Sequence, residues 1–365
     1  MINFIKREIV LIVASILAII SSFISTPKLQ YIDFKVLILL FNLMIIIAAF
    51  KEIKVLDFIA TSILKKCTSY KKLCLTLVLT TFFASMIVTN DVALLTFVPL
   101  TLIITRKSNI SSLKIIIFQT IAANLGSTLT PMGNPQNLYI YSHFNISTFE
   151  FFRTTLPLVL VSFVFLLLII NKEKDINLKF NMEEVKVGNI KNIIFYLILL
   201  IIVLLSVFRL VDYKIIFIII SISVLLVNKK LFLKVDYSLL LTFIAFFIFI
   251  GNISNLEPIV KFMSKALSTK NSTLISSILC SQIISNVPAT MLLASFTKYY
   301  NSLLMGVNIG GLGTLIASLA SIISYKLYIK ENSKDSGKYI KIFTIYNILG
   351  LIILFILAII LNIII

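Results

Sequence analysis

Residues 73–104 read Leu-Cys-Leu-Thr-Leu-Val-Leu-Thr-Thr-Phe-Phe-Ala-Ser-Met-Ile-Val-Thr-Asn-Asp-Val-Ala-Leu-Leu-Thr-Phe-Val-Pro-Leu-Thr-Leu-Ile-Ile, a run of 32 broken only at Thr89-Asn90-Asp91. As one helix it would be ~48 Å long at ~1.5 Å per residue, too long for a hydrocarbon core of ~30 Å. Two full spans with a turn would need ~40 residues or more. The intermediate length predicts a re-entrant hairpin whose tip, Thr89-Asn90-Asp91, stops part way through the membrane. Residues 272–300 have the same form, with the tip at Ser285-Asn286-Val287-Pro288. Each hairpin is followed by a helix interrupted at Gly and Pro: 113–144, broken at Asn124–Asn137, and 302–329, broken at Asn308–Gly313.

The rest of the chain fits this setting. It is 59% hydrophobic and 13% charged with a mean hydropathy of +1.07, which excludes both a water-soluble globule and disorder. Apolar windows place full spans at 9–26, 34–50, 154–170, 192–208, 214–227, 238–252 and 341–364. The net charge of +18 sits between apolar runs with no aromatic-basic groove, so it marks cytoplasmic loops and no nucleic acid partner. Cys67, Cys74 and Cys280 have neither metal spacing nor a disulfide framework. Lys6 and Arg7 flank the first apolar run, but no A-x-A-type cleavage site follows it, so it is expected to be retained as a span. The lone His143 and Lys298 read as an outer-surface histidine and a snorkelling lysine. The expectation is an all-α polytopic protein of the inner membrane.

The parts occur twice in the same order. Span 34–50, an amphipathic stretch (55–68), hairpin, broken helix and span 154–170 form one set within an N-terminal half, 1–170. Span 238–252, an amphipathic stretch (255–268), hairpin, broken helix and span 341–364 form the other, within a C-terminal half, 192–365; 171–191 is the linker. Ala123-Asn124-Leu125-Gly126-Ser127 echoes Val307-Asn308-Ile309-Gly310-Gly311. Matching interruptions in two halves point to a secondary-transporter binding site. Five crossings separate the starts of the sets, so the repeats are inverted, within about nine crossings in all. With the N-terminus inside and the C-terminus outside, 24 of the 33 Lys and Arg fall on the cytoplasmic side, as the positive-inside rule asks.

Of the 15 acidic residues, Asp91 alone lies in the middle of an apolar window. An ionisable group at that depth marks an ion or substrate path by default. The bland alternative, an N-cap formed by Asn90 and Asp91, requires that the helix be broken in the membrane anyway. Helices restarting near Val92 and Ala289 would aim free N–H groups at each other and bind an anion without a basic side chain; Pro288 suits the second restart. Freed carbonyls at 124–134 and 308–313, with Asn124, Thr128, Asn134 and Asn308, offer oxygens to a small cation. Gly126, Gly133, Gly306, Gly310, Gly311 and Gly313 are six of the ten glycines; Gly306 and Gly310 also suit plain helix packing.

Thr-Asn-Asp-Val-Ala-Leu-Leu-Thr (89–96), Asn-Leu-Gly-Ser-Thr-Leu-Thr-Pro-Met-Gly-Asn-Pro-Gln-Asn (124–137), Ser-Asn-Val-Pro-Ala-Thr (285–290) and Asn-Ile-Gly-Gly-Leu-Gly-Thr (308–314) resemble the ion transporter superfamily. That group holds citrate-transporter-like permeases, divalent-anion/sodium symporters, arsenite permeases and a class of sodium/proton antiporters. The resemblance implies a homodimerising scaffold and a transport domain that moves as an elevator. It also implies a substrate between the hairpin tips, at Thr89, Asn90, Ser285, Asn286 and Thr290. Cations would lie between tip and broken helix, at Asn90, Asp91, Asn124, Gly126, Thr128, Gly133, Asn134, Asn286, Asn308, Gly310 and Gly313. Carboxylate symporters of the group carry Ser-Asn-Thr at both tips; the Asn90-Asp91 and Asn286-Val287-Pro288 tips here are closer to the arsenite permease and antiporter branches.

The expected function is a secondary active transporter of a small anion, with Na⁺ or H⁺ as coupling ion and no other cofactor. The alternatives are a sodium/proton antiporter using Asp91 and, more remotely, a passive channel. An intramembrane enzyme ranks far lower: the chain has one His, no H-E-x-x-H and no Gly-x-Ser-x-Gly.

Overall fold

The computed structural model describes residues 8–64, 67–178 and 189–364; Lys6, Arg7 and the middle of the 171–191 linker lie outside them. The described chain is all-α. Its helices are α1 (Ile9–Ser22), α2 (Phe34–Glu52), α3 (Val55–Leu64), α4 (Tyr70–Val88), α5 (Asn90–Lys107), α6 (Leu113–Gly126), α7 (Pro135–His143), α8 (Thr148–Asn171) and α9 (Ile190–Val207). They continue as α10 (Tyr213–Asn228), α11 (Tyr237–Ile253), α12 (Glu257–Ala266), α13 (Lys270–Ile284), α14 (Asn286–Ala294), α15 (Tyr300–Ile309), α16 (Leu319–Glu331) and α17 (Ser336–Ile364). Among the described residues six helices are long and apolar enough to cross a bilayer, and a seventh candidate is α11 with α12, bent by 104°. The broken helices fall short of that length because each is interrupted. Rows of exposed Ile and Leu on the outer helices, such as Ile201, Ile222 and Ile352, suit lipid as solvent.

Both hairpins are present, and their tips are alike. Thr89 joins α4 to α5 at φ 73°, ψ 151°; Ser285 joins α13 to α14 at φ 72°, ψ 155°. Non-glycine residues rarely occupy this region, and holding one there costs of order 1–3 kcal/mol. The same strained bend at the same place in both halves reflects the internal repeat. The α3 helix touches both α4 and α5, so the first hairpin returns to the side from which it came. Its arms are longer than half-spans: 19 and 18 residues, about 28 and 27 Å at ~1.5 Å per residue. Both arms run past the apolar window at their open end, into Lys71-Lys72 and Arg106-Lys107. Pro99 is accommodated inside α5, and Pro288 lies in the first turn of α14.

The first broken helix stops at Gly126, turns through Ser127–Leu129 and restarts at Pro135, where Asn134 caps the new helix by accepting from the Asn137 amide (2.8 Å). Proline suits the first position of a helix, where no donor is needed; Pro135 therefore begins a helix instead of ending one. The second break is longer than the 308–313 expectation. The α15 helix continues through Ile309, and α16 begins at Leu319.

Contacts sort the helices into two groups. In one, α1 packs on α11, and α2 on α9 and α10. In the other, the hairpins and broken helices pack on one another and on α8 and α17. The groups meet where α2 lies on α7 and α11 on α14. Arg209, in the α9–α10 turn, reaches across to the carbonyls of Tyr141 and Ile146 and stacks on the Tyr141 ring, 4.4 Å from its centroid. At the hairpin's open end, Tyr70 donates its amide to the Ile176 carbonyl (2.8 Å) and Leu178 to Thr68 (2.9 Å), which anchors the start of the linker.

The α4–α6 contact depends on Gly126. A Cβ there would lie 2.2 Å from the Phe82 carbonyl oxygen and 2.6 Å from Ser85 Oγ, whereas at Gly337 nothing lies within 4 Å. Gly126→Val is expected to lower the melting temperature of the detergent-purified protein, by a loss of about 1–3 kcal/mol. Gly337→Ala should leave it unchanged or slightly higher.

Candidate functional site

The two tips meet. Asn90, Asp91, Asn286 and Val287 line one small cavity with Pro135, Gln136, Ser318, Leu319 and, from the other group of helices, Leu239. Its volume is about 10 Å³, room for about one water molecule. The starts of four helices face it: α5 at Asn90, α7 at Pro135, α14 at Asn286 and α16 at Leu319. Each helix start carries the equivalent of roughly half a positive charge, although at α5 the Asn90 and Asp91 amides are already bonded, to the Gly133 carbonyl and to Asn90 Oδ1. Two of these four starts belong to the hairpins; the other two are the restarts of the broken helices.

Asp91 sits in the first turn of α5, where a negative charge is stabilised by the helix dipole. Its backbone N–H donates to Asn90 Oδ1 (3.0 Å). Its own Oδ1 is out of contact with solvent and has no hydrogen-bond partner. A buried carboxylate oxygen left unpaired is costly. Asp91 is the one ionisable group among the residues lining the cavity.

The polar residues singled out by sequence mostly form a cross-brace between the two halves. Asn124, at the first break, donates to the Gly311 carbonyl (3.4 Å) and Ser321 Oγ (3.3 Å) of the second half; its Oδ1 accepts from Asn90 Nδ2 (3.2 Å) and Ser318 Oγ (3.0 Å). Asn308, its counterpart, reaches the other way. Its Oδ1 accepts from Thr128 Oγ1 (3.2 Å) and Asn134 Nδ2 (3.1 Å), and its Nδ2 donates to Asn137 Oδ1 (2.7 Å). Each half thus uses its break asparagine to grip the break of the other. The oxygens expected to face a cation are held by amide and hydroxyl donors in this state.

The freed carbonyls are gathered by side-chain amides. Asn137 Nδ2 lies 3.1–3.2 Å from the carbonyls of Ser127, Thr128 and Thr130. Gln282 Nε2 donates to Gly310 (2.8 Å) and Leu312 (2.9 Å), while its Oε1 accepts from the Thr314 amide (2.9 Å). Gly313 takes φ +104° to lie against Gln282. The Gly133 carbonyl accepts from the Asn90 amide (3.1 Å), tying tip to break, and Gly310 packs on Ser281. Ser285 Oγ lies 3.5 Å from the Ala317 carbonyl. Thr290 is fully buried, and its hydroxyl donates to the Asn286 carbonyl (2.7 Å), so it is bound within α14 and does not line the cavity.

Sequence reasoning missed Asn137, Gln136, Gln282, Ser318 and Leu239. Asn137 and Gln136 lay inside a quoted motif, and the Asn-Pro pair at 134–135 was the signal that a helix starts there. Gln282 is a polar residue three positions before the tip. Leu239 had no signal, since only packing brings α11 to the tips.

The sequence profile of citrate transporters matches residues 1–299. An uncharacterized transporter of Methanocaldococcus jannaschii is 38% identical over 331 residues, 88% of this chain and 88% of that protein. The inner membrane protein YbiR of Escherichia coli is 30% identical over 302 residues, 81% of this chain and 80% of that protein. A putative transporter, arsB, of Dictyostelium discoideum is 26% identical over 155 residues, 41% of this chain and 28% of that protein.

Asn124→Ala and Asn308→Ala each remove a brace and leave buried partners unpaired. Each is expected to cost about 1–3 kcal/mol, read as a fall in melting temperature, with losses of similar size because the two residues hold equivalent places.

Proposed function

The chain belongs to the citrate transporter family, within the ion transporter superfamily, and from that premise we propose that it is a secondary active carrier of a small anion, driven by a gradient of Na⁺ or H⁺. The anion is a carboxylate or an oxyanion such as arsenite, in keeping with the names of the family and of the Dictyostelium relative. The observation that carries this reading is the convergence of four helix starts on one cavity whose lining holds Asp91 and no basic side chain. Four starts supply roughly +2 of partial charge against −1 from Asp91. An anion beside Asp91 then meets a net positive site, and protonating Asp91 or placing a cation on its unpaired oxygen strengthens that site further. Coupling follows: the ion that neutralises Asp91 favours binding of the anion, so the two travel together.

At about 10 Å³ the cavity is too small for a carboxylate, which requires a more open state. An alternating carrier needs such states, whereas a continuous pore does not suit a pocket of this size. The two groups of helices, meeting along α2–α7 and α11–α14, are the bodies that would move in an elevator. Hydrophobic outer faces, a cytoplasmic N-terminus, an extracytoplasmic C-terminus, the cell membrane as location and a homodimer complete the reading.

A sodium/proton antiporter is the second reading, and it rests on Asp91 being the sole ionisable lining residue. Proteoliposomes separate the two: uptake of labelled citrate, dicarboxylate, sulfate or arsenite driven by a sodium or pH gradient, against dequenching of a pH dye on adding sodium alone. Asp91→Asn is expected to abolish gradient-driven anion uptake or uncouple it from the ion, with an unchanged melting temperature. Wild-type uptake and ion dependence in that variant would remove Asp91 from the mechanism.

A further inference from the structure

A second, larger cavity of about 390 Å³ lies along the same seam as the site. That size is within the range of about 300–1,000 Å³ usual for small-molecule pockets. Gln30, Asp33, His143, Ser254 and Ser295 give it a polar lining, and Tyr139 and Phe247 are among its apolar walls. The carboxylate of Asp33 caps α2 by accepting from the Val36 amide (3.1 Å). Its charge is therefore partly offset by a helix start. On one flank Tyr31 lies flat against Gly251, where a Cβ would come within 2.2 Å of its ring, and its hydroxyl accepts from Asn255 Nδ2 (3.3 Å). This pins the 29–31 turn as a fixed wall.

Three helices run from the small cavity to the large one. On α7, Gln136 lines the first and Tyr139 and His143 the second; on α11, Leu239 lines the first and Phe247, Ile250 and, just past its end, Ser254 the second. The α14 helix starts at the first with Asn286, and Ser295, just past its end, lines the second. Positions 136, 139 and 143 share one face of α7, and 239, 243, 247, 250 and 254 share one face of α11. Eight residues separate Leu239 from Phe247, about 12 Å along the axis. The space between is filled by rings: Tyr139 stands 6.4 Å from Phe243 and 5.8 Å from Phe247, and Phe243 lies 6.1 Å from Phe247. Tyr139, Phe243 and Phe247 are all buried, and His143 stacks on Tyr139 from the chamber side at 5.1 Å.

Resting on the carrier reading above, we infer that the 390 Å³ chamber is a waiting station for a small polar solute, and that the rings of Tyr139, Phe243 and Phe247 are the barrier separating it from the site between the hairpin tips. The barrier joins the two groups of helices, since Tyr139 belongs to the hairpin group and both Phe residues to the other. Any movement between the groups therefore opens or re-forms it. In the state described here the chamber is large while the site is too small for a carboxylate.

The test uses the full chain with Cys67, Cys74 and Cys280 replaced by Ala, reconstituted in vesicles, and a membrane-impermeant thiol reagent applied to one face at a time. Ser295→Cys is expected to react quickly from the face bearing the 24–33 and 295–299 loops, and slowly from the other. Val287→Cys, at the site, should react slowly from that same face. Adding Tyr139→Ala or Phe243→Ala should raise the Val287→Cys rate at least tenfold, while Tyr139→Phe, which keeps the ring, should leave it unchanged. Each variant is first checked for a monodisperse elution profile; if one ring-removing variant fails to fold, the other carries the comparison. An unchanged Val287→Cys rate after loss of a ring, or fast Ser295→Cys labelling from the opposite face alone, overturns the inference. Labelling needs no turnover, so a chain that carries no anion in the flux assay refutes the functional reading separately from these rates.

Discussion

A chain that leaves helical geometry inside a bilayer strands amides and carbonyls where no water can satisfy them, and the rest of this structure answers that constraint. Two hairpin tips and two broken helices create the stranded groups. The amides are turned into a resource: the starts of α5, α7, α14 and α16 are collected around one cavity. The carbonyls are gathered by the side-chain amides of Asn137 and Gln282. Without those caps the breaks would be unaffordable in lipid, and without the breaks there would be no polar place to bind anything.

The internal repeat makes this economical. Asn124 serves the break of the second half and Asn308 that of the first, so the halves cannot separate without exposing both sets of unpaired groups. That reciprocity stiffens the group that carries the site. The interface with the other group is of a different kind, made of rings between α7 and α11 and aliphatic side chains along α11 and α14 with few polar ties, Arg209 on the α7 end being one. Apolar contacts lack directional bonds and can slide; an amide network cannot. The carrier reading proposed above rests on this difference between a rigid body and a sliding contact.

The repeats differ where chemistry requires it. Position 91 is a carboxylate, and its counterpart after Asn286 is Val287. One tip therefore carries an ionisable group with a free oxygen, and the other presents only backbone and amide. The frame is alike in both halves, and among the residues lining the cavity the one acid belongs to the first half.

Much of this was legible in the residue order. Window lengths identified the hairpins, Gly and Pro placed the first break and the start of the second, and the isolated carboxylate among apolar residues marked Asp91, because each depends on local sequence read against a fixed membrane thickness. Tertiary structure decided the rest. It showed that Asn124 and Asn308 bond across the repeats and that Thr290 is bound within its own helix. It also brought Leu239 to the tips and raised three rings between two cavities. Those outcomes depend on which helix faces which, and a one-dimensional pattern records burial and breaks but not the partner on the far side.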